Sequence, residues 1–127
     1  MAADIPFRVI IAGGRDYTDY LKVWNCCDFY LSNKVNGVEV LTGGAGGADA
    51  LGKQYADLRN YSNTIYLANW KSYGKTAGPI RNERMVKNAD ALIAFWDGLS
   101  KGTGNIIKLA KRAGLLIRVI SYDPIKK

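Results

Sequence analysis

Short apolar runs alternate with amphipathic stretches along this chain, regularly enough to read as architecture. Five runs have strand character: Phe7–Ala12 (FRVIIA), Val38–Thr42 (VEVLT), Asn63–Ala68 (NTIYLA), Ala91–Trp96 (ALIAFW) and Leu115–Ser121 (LLIRVIS). They are rich in β-branched and aromatic residues and lack strict alternation, as strands buried on both faces do. Helical patterns lie between them. Asp19–Lys34 spaces Leu21, Trp24, Cys27 or Asp28, and Leu31 at helical intervals, and Gly47–Asn60 and Gly104–Leu115 are amphipathic. The last of these closes with Gly114, a glycine suited to the residue after a helix. Asn69–Asp90 begins as a loop and turns helical after Pro79, because proline suits a first helical turn. Such strand–helix alternation predicts an α/β fold, a doubly wound domain with a mainly parallel central sheet of about five strands.

In open parallel sheets, ligands sit outside the carboxyl ends of the strands, near the point where strand order reverses. The residues that follow each strand are therefore the informative ones. They read Gly13–Asp19 (GGRDYTD), Gly43–Asp49 (GGAGGAD) and Asp97–Asn105 (DGLSKGTGN). Three glycine-rich turns on one predicted edge point to a phosphate or nucleotide held by backbone amides. The candidates are Gly13 and Gly14, then Gly43, Gly44, Ala45, Gly46 and Gly47, then Gly102, Thr103, Gly104 and Asn105. Arg15, beside Asp16, is placed to meet a phosphate, with pairing to Asp16 or Asp19 as the plainer alternative. Asp49 stands at a helix start, where it either caps the helix or contacts a ribose or base. Arg81 and Asn82 follow Pro79 at another helix start, where amides and a guanidinium can converge on an anion. Trp70, Tyr73 and Trp96 flank these loops. Core packing is their default role, with Trp70 or Trp96 available to enclose a base.

Two familiar nucleotide motifs fail in context. Gly47-x-x-x-x-Gly52-Lys53 nearly spells a triphosphate loop, yet Gly52-Lys53 falls inside the predicted helix and Gln54 replaces the metal-binding hydroxyl. Gly74-Lys75-Thr76 lacks the first glycine, with Asn69 in its place. Gly44-x-Gly46 is followed by Asp49 where a dinucleotide fingerprint needs its third glycine. An ordinary NTPase or dehydrogenase is not indicated.

Composition narrows the chemistry further. At 127 residues with 48% hydrophobic content, the chain is read as one domain, residues 1–127. It contains no histidine, which removes histidine-based triads, histidine metal sites and the usual near-neutral base. Cys26 and Cys27 are adjacent and about 100° apart on a helix, so neither a disulfide nor a zinc motif is expected. No metal, required cofactor or catalytic residue is assigned. Any catalysis would rest on carboxylates, Lys, Tyr or Arg. Apolar runs fall far short of the roughly 18 residues of a membrane span, and the start of the chain lacks a signal-peptide pattern, so a cytoplasmic protein with no membrane partner is expected. The net charge of +7 favours an anionic ligand, but the 18 basic residues are scattered. Nucleic acid is accordingly ranked behind a small-molecule nucleotide. Trp24, Phe29 and Tyr30 on one helix could support a homo-oligomer.

The blocks GGRDY, TGGAGGADALGKQYA, NWKSYGKTAGPIRNERMV, ADALIAFWDG and KGTGNIIKLAKRAGL, in this order, resemble the YspA/YpsA-related branch of the SLOG superfamily from Phe7 to Ile120. The resemblance implies a Rossmann-like domain that binds a nucleotide or a nucleotide-derived ligand, NAD- or ADP-ribose-like or a cyclic signalling nucleotide, in a bacterial or phage setting. Sensor, carrier or sponge are the implied roles. A more distant similarity is to the lonely-guy phosphoribohydrolases, whose PGGxGTxxE motif is met by Gly102-Thr103, with Arg81 placed like their arginine. Their glutamate falls at Ile106, and the preceding PGG is not kept. Hydrolysis of an N-glycosidic bond would then need Asp16, Asp49 or Asp97 to supply the carboxylate. It stands as the alternative, with single-stranded nucleic-acid binding as a third reading.

Overall fold

The computed structural model describes residues 5–124. Strands β1 (Phe7–Gly13), β2 (Val38–Thr42), β3 (Ser62–Ile65), β4 (Ala91–Trp96) and β5 (Leu116–Ser121) form one sheet in the order β3-β2-β1-β4-β5. Every pairing is parallel. The helices are α1 (Tyr20–Leu31), α2 (Ala48–Leu58), the short α3 (Trp70–Tyr73), α4 (Ala77–Lys87) and α5 (Lys101–Ala113), with a 3₁₀ turn over Gly74–Thr76. The expected α/β fold with a parallel five-stranded sheet is therefore present.

The central strands show why their sequences lack alternation. In β1, Val9 and Ile11 pack with Val23, Cys27 and Tyr55 of α1 and α2. Ile10 and Ala12 point the other way, toward Met85, Ile106 and Ala110 of α4 and α5. Both faces are covered, so every position of Val9–Ala12 is apolar. Strand order reverses between β1 and β4, which are neighbours in space but far apart in sequence. The crevice expected of such a sheet opens at their carboxyl ends.

Several expected boundaries move. β3 ends at Ile65 rather than Ala68. Tyr66 still donates its N–H to the Thr42 carbonyl at 2.8 Å, and the chain then leaves the sheet. On α1 the buried stripe is Val23, Cys27 and Leu31, while Leu21 is 70% exposed. The segment after Asn69 is helical rather than a loop, because the Asn69 side chain accepts the Ser72 N–H at 3.1 Å. α4 begins at Ala77 and Pro79 sits in its first turn, where the missing N–H has no helical partner to lose. α5 starts at Lys101, not Gly104, since Ser100 caps it. Gly114 closes α5 in the left-handed conformation. Cys26 and Cys27 are both free thiols. No helix among the described residues is long and apolar enough to cross a membrane.

Candidate functional site

The three glycine-rich segments meet at the carboxyl edge of the sheet. A cleft of about 640 Å3 opens there, lined from the β1 side by Gly13, Gly14, Arg15 and Asp16 and from the β4 side by Gly102, Thr103 and Asn105. Ala45, Asp49, Trp70, Arg81, Asn82 and Asp97 complete the predicted residues that reach it. A second hollow of about 420 Å3 lies alongside, and Gly43, Gly44 and Gly46 line that one instead. Gly47, Trp96 and Gly104 line neither.

Those three have packing roles. Gly47 has φ +63° and lies against the Gly14 carbonyl and Arg15 backbone, so only glycine lets the loop after β1 touch the start of α2. Trp96 donates its indole N–H to the Ser100 carbonyl at 3.0 Å, and a Cβ on Gly104 would come within 3.2 Å of its ring. Trp96 thus fixes α5 to β4 rather than enclosing a base.

The backbone cradle is also smaller than the glycine count predicts. The Gly14 N–H is given to the Phe95 carbonyl, and the Gly14 carbonyl accepts the Ala48 N–H. The Ala45 N–H goes to the Asp49 carboxylate at 3.2 Å. Gly104 donates to the Ser100 carbonyl and Thr103 to the Ser100 hydroxyl. Gly102 belongs to the first turn of α5, where helix amides lack an intrahelical acceptor. Most of these glycines bring loops together; side chains carry the charge.

The charged centre consists of Arg15, Arg81 and Asp49. Arg81 is half-buried, donates to the Gly43 carbonyl at 2.7 Å, and turns its Nε toward the Asn82 side-chain oxygen at 3.0 Å. Burial lowers its pKa, Asp49 opposes that, and the nearby Arg15 adds to it. Asp49 is buried, and its carboxyl is pushed above the usual range by burial, against the Ala45 amide and the two arginines. Arg15 is exposed and forms no ion pair with Asp16, Asp19 or any other acid among the described residues. Its expected partners are engaged elsewhere: Asp16 accepts the Tyr122 hydroxyl at 3.1 Å, and Asp19 caps α1. Asn82 is buried and bonds Asn105 at 2.9 Å and the Gly102 carbonyl at 3.3 Å, bracing α4 against α5.

Two cationic residues of the cleft escaped sequence reasoning. Lys75 lines the cleft from a motif set aside as a failed triphosphate loop, and Lys101 lines it as the first residue of α5. The capping serine directly before Lys101 was the available signal. Lys53, from the other failed loop, points away and pairs with Asp57 at 2.8 Å. Ile106, at the position of the hydrolase glutamate, is 1% exposed in the core. No group of three or more His, Cys, Asp or Glu that could hold a metal occurs among the described residues.

The family model described as "YspA, cpYpsA-related SLOG family" matches residues 7–73. The Gene 61 protein of Mycobacterium phage D29 is 36% identical over 114 residues, covering 85% of this chain and 91% of that protein. The chain belongs to the YspA, cpYpsA-related SLOG family. Family membership brings the chain a general nucleotide-related character.

Among solved structures, DNA processing protein A (DprA) from Streptococcus pneumoniae matches with a TM-score of 0.74 at 15% identity, over 98% of this chain. The chain spans only about half of that protein, 53%. TM1055 matches with a TM-score of 0.64 at 17% identity, over 89% of this chain and 72% of that one. At such identities the likeness is one of fold. It nonetheless corrects the ranking of partners. Nearly the whole family domain is laid out as in a protein named for DNA processing, so nucleic acid does not stand behind a free nucleotide. Scattered charge was too weak a reason to place it there.

Proposed function

We propose that this protein binds nucleotide phosphate at the carboxyl edge of its sheet, and that single-stranded nucleic acid supplies it. One observation carries the reading: Arg15 and Arg81, from opposite halves of the chain, face the same cleft, where Arg15, Lys75, Arg81 and Lys101 outnumber the carboxylates Asp16, Asp49 and Asp97. Arg15 is close enough to disfavour the charge on Arg81, and an anion between the two guanidiniums relieves that. Trp70 is 51% exposed at the cleft and offers an aromatic face for a base. Lys75 and Lys101 extend the positive rim, and the net charge of +7 adds a long-range pull. The fold shared with DNA processing protein A supports the same choice.

A free ligand is the second reading, favoured by a cleft volume within the roughly 300–1,000 Å3 usual for small-molecule pockets. An NAD- or ADP-ribose-like molecule or a cyclic nucleotide would be sensed, carried or sequestered there.

Fluorescence anisotropy with a labelled single-stranded oligonucleotide tests the proposal. Binding is expected at low salt, with log affinity falling linearly as log salt rises, and Arg15→Ala and Arg81→Ala should each weaken it. A protein that ignores the oligonucleotide but gains thermal stability with a free nucleotide would transfer the case to the second reading. Release of free base, followed by chromatography, would turn it toward hydrolysis, with Asp49 first in line.

A further inference from the structure

The cleft and the hollow beside it are not separate sites. They share Arg15, Ala45, Trp70 and Arg81, so the two guanidiniums and the indole stand at the boundary between them. The larger space is lined by Asn82 and the start of α5 together with Ala12, Pro79 and Met85. The smaller space is walled by glycine backbone and by Leu67, which is 70% exposed, and its lining holds no carboxylate. A phosphate drawn to both arginines therefore sits in the middle of the combined space, with room on either side. A mononucleotide would fill one side and leave the other empty.

We infer that the unit recognised is a dinucleotide step, with its internal phosphodiester between Arg15 and Arg81, one nucleoside in the cleft and the other against Leu67 and Trp70. The inference rests on the nucleotide-phosphate reading above and deepens it. The charge agrees: Arg15, Lys75, Arg81 and Lys101 against Asp16, Asp49 and Asp97 leave the lining one net positive charge, which one phosphodiester neutralises. A terminal phosphate, which carries closer to two negative charges at neutral pH, fits that balance less well. Leu67 and the exposed face of Trp70 suit a base without selecting its identity, since every base has a flat apolar face.

Competition against a labelled single-stranded oligonucleotide tests this, with thymidine 5′-monophosphate and thymidylyl-thymidine as the two competitors. The dinucleotide should compete roughly tenfold or more better, the worth of one additional stacked base. Leu67→Asp should remove that advantage, and its exposed position makes loss of fold an unsuitable explanation, which an unchanged melting temperature would verify. Equal competition by the two probes, with the oligonucleotide still bound, would overturn the dinucleotide site and leave strand binding intact. A dinucleotide advantage that survives Leu67→Asp would also overturn it, because the second base would then lie elsewhere. Failure of the wild-type protein to bind the oligonucleotide would sink both.

Discussion

Asp49 and Arg81 approach each other across Gly43: a Cβ there would come within 3.0 Å of the Asp49 carboxylate and 2.7 Å of the guanidinium carbon. The absence of a side chain at Gly43 is what lets acid and base share the loop. The arrangement holds the guanidinium against the Gly43 carbonyl before any ligand arrives. Gly43→Ala must push Arg81 aside. Oligonucleotide affinity should fall by about tenfold or more, as expected when one charge-assisted contact is lost, and a titration of the purified variant would show it.

The buried Asp49 carboxyl makes stability depend on pH. Its pKa is raised above the ordinary 3.8, chiefly by burial, so the folded state holds the proton more tightly than the unfolded state. That contribution is fully present below the ordinary value and is lost as pH rises through the raised one. Asp49→Asn removes the titration. Its melting temperature should gain on wild type as pH rises above the ordinary carboxyl value, and thermal scans of both proteins from acid to neutral pH would reveal a constant difference if the idea were wrong. Phosphate bound beside Asp49 raises its pKa further. Wild-type affinity should therefore fall with pH over the same window, and the dependence should flatten in Asp49→Asn.

Gly52 explains the motif that looked like part of a triphosphate loop. It lies on the buried face of α2, where a Cβ would stand 2.7 Å from Cγ2 of Ile11 on β1. Gly52→Ala gains up to about 1 kcal/mol of helix propensity but forces α2 off the sheet at about 1–3 kcal/mol. The expected net is a loss of stability in chemical denaturation. A stabilised variant would show that α2 has slack against β1.

Tyr122 ties the segment after β5 to the arginine loop through its bond to Asp16, and its ring packs 4.6 Å from that of Tyr17. Tyr122→Phe keeps the packing and removes the hydroxyl, so the expected cost is about 0.5–1.5 kcal/mol. Hydrogen exchange should rise locally around Arg15–Tyr17 while the core strands keep their protection. Exchange that rises uniformly would contradict a local tie.

The strands were readable because a buried parallel sheet writes itself as unbroken apolar runs, and β2 and β4 fall on the residues expected of them. The edge β3 was less so, since Ile65 at 40% exposed and Leu67 at 70% are apolar without being core. Helix starts were hardest where glycine disguised them. Gly102 and Gly104 look like loop, yet Ser100 is enough to begin α5 ahead of them. The site was legible as a neighbourhood, because glycine runs after strands mark the sheet edge. Its division of labour was not. Whether an amide is free or committed depends on partners such as Phe95 and Ser100, which local spacing does not reveal. The role of Trp96 likewise turns on α5 folding back over it.

Because β1 lies between β2 and β4, it acquires one neighbour early and the other only after β2, α2, β3, α3 and α4 have been made. Arg15 precedes that interval, and Arg81 and Thr103 fall late in it or beyond it. On the ribosome, the emerging protein would carry one arginine for a long stretch of synthesis with nothing to close the cleft around it. The candidate cleft is complete only once the β4 strand has docked beside β1 and α5 has formed behind it.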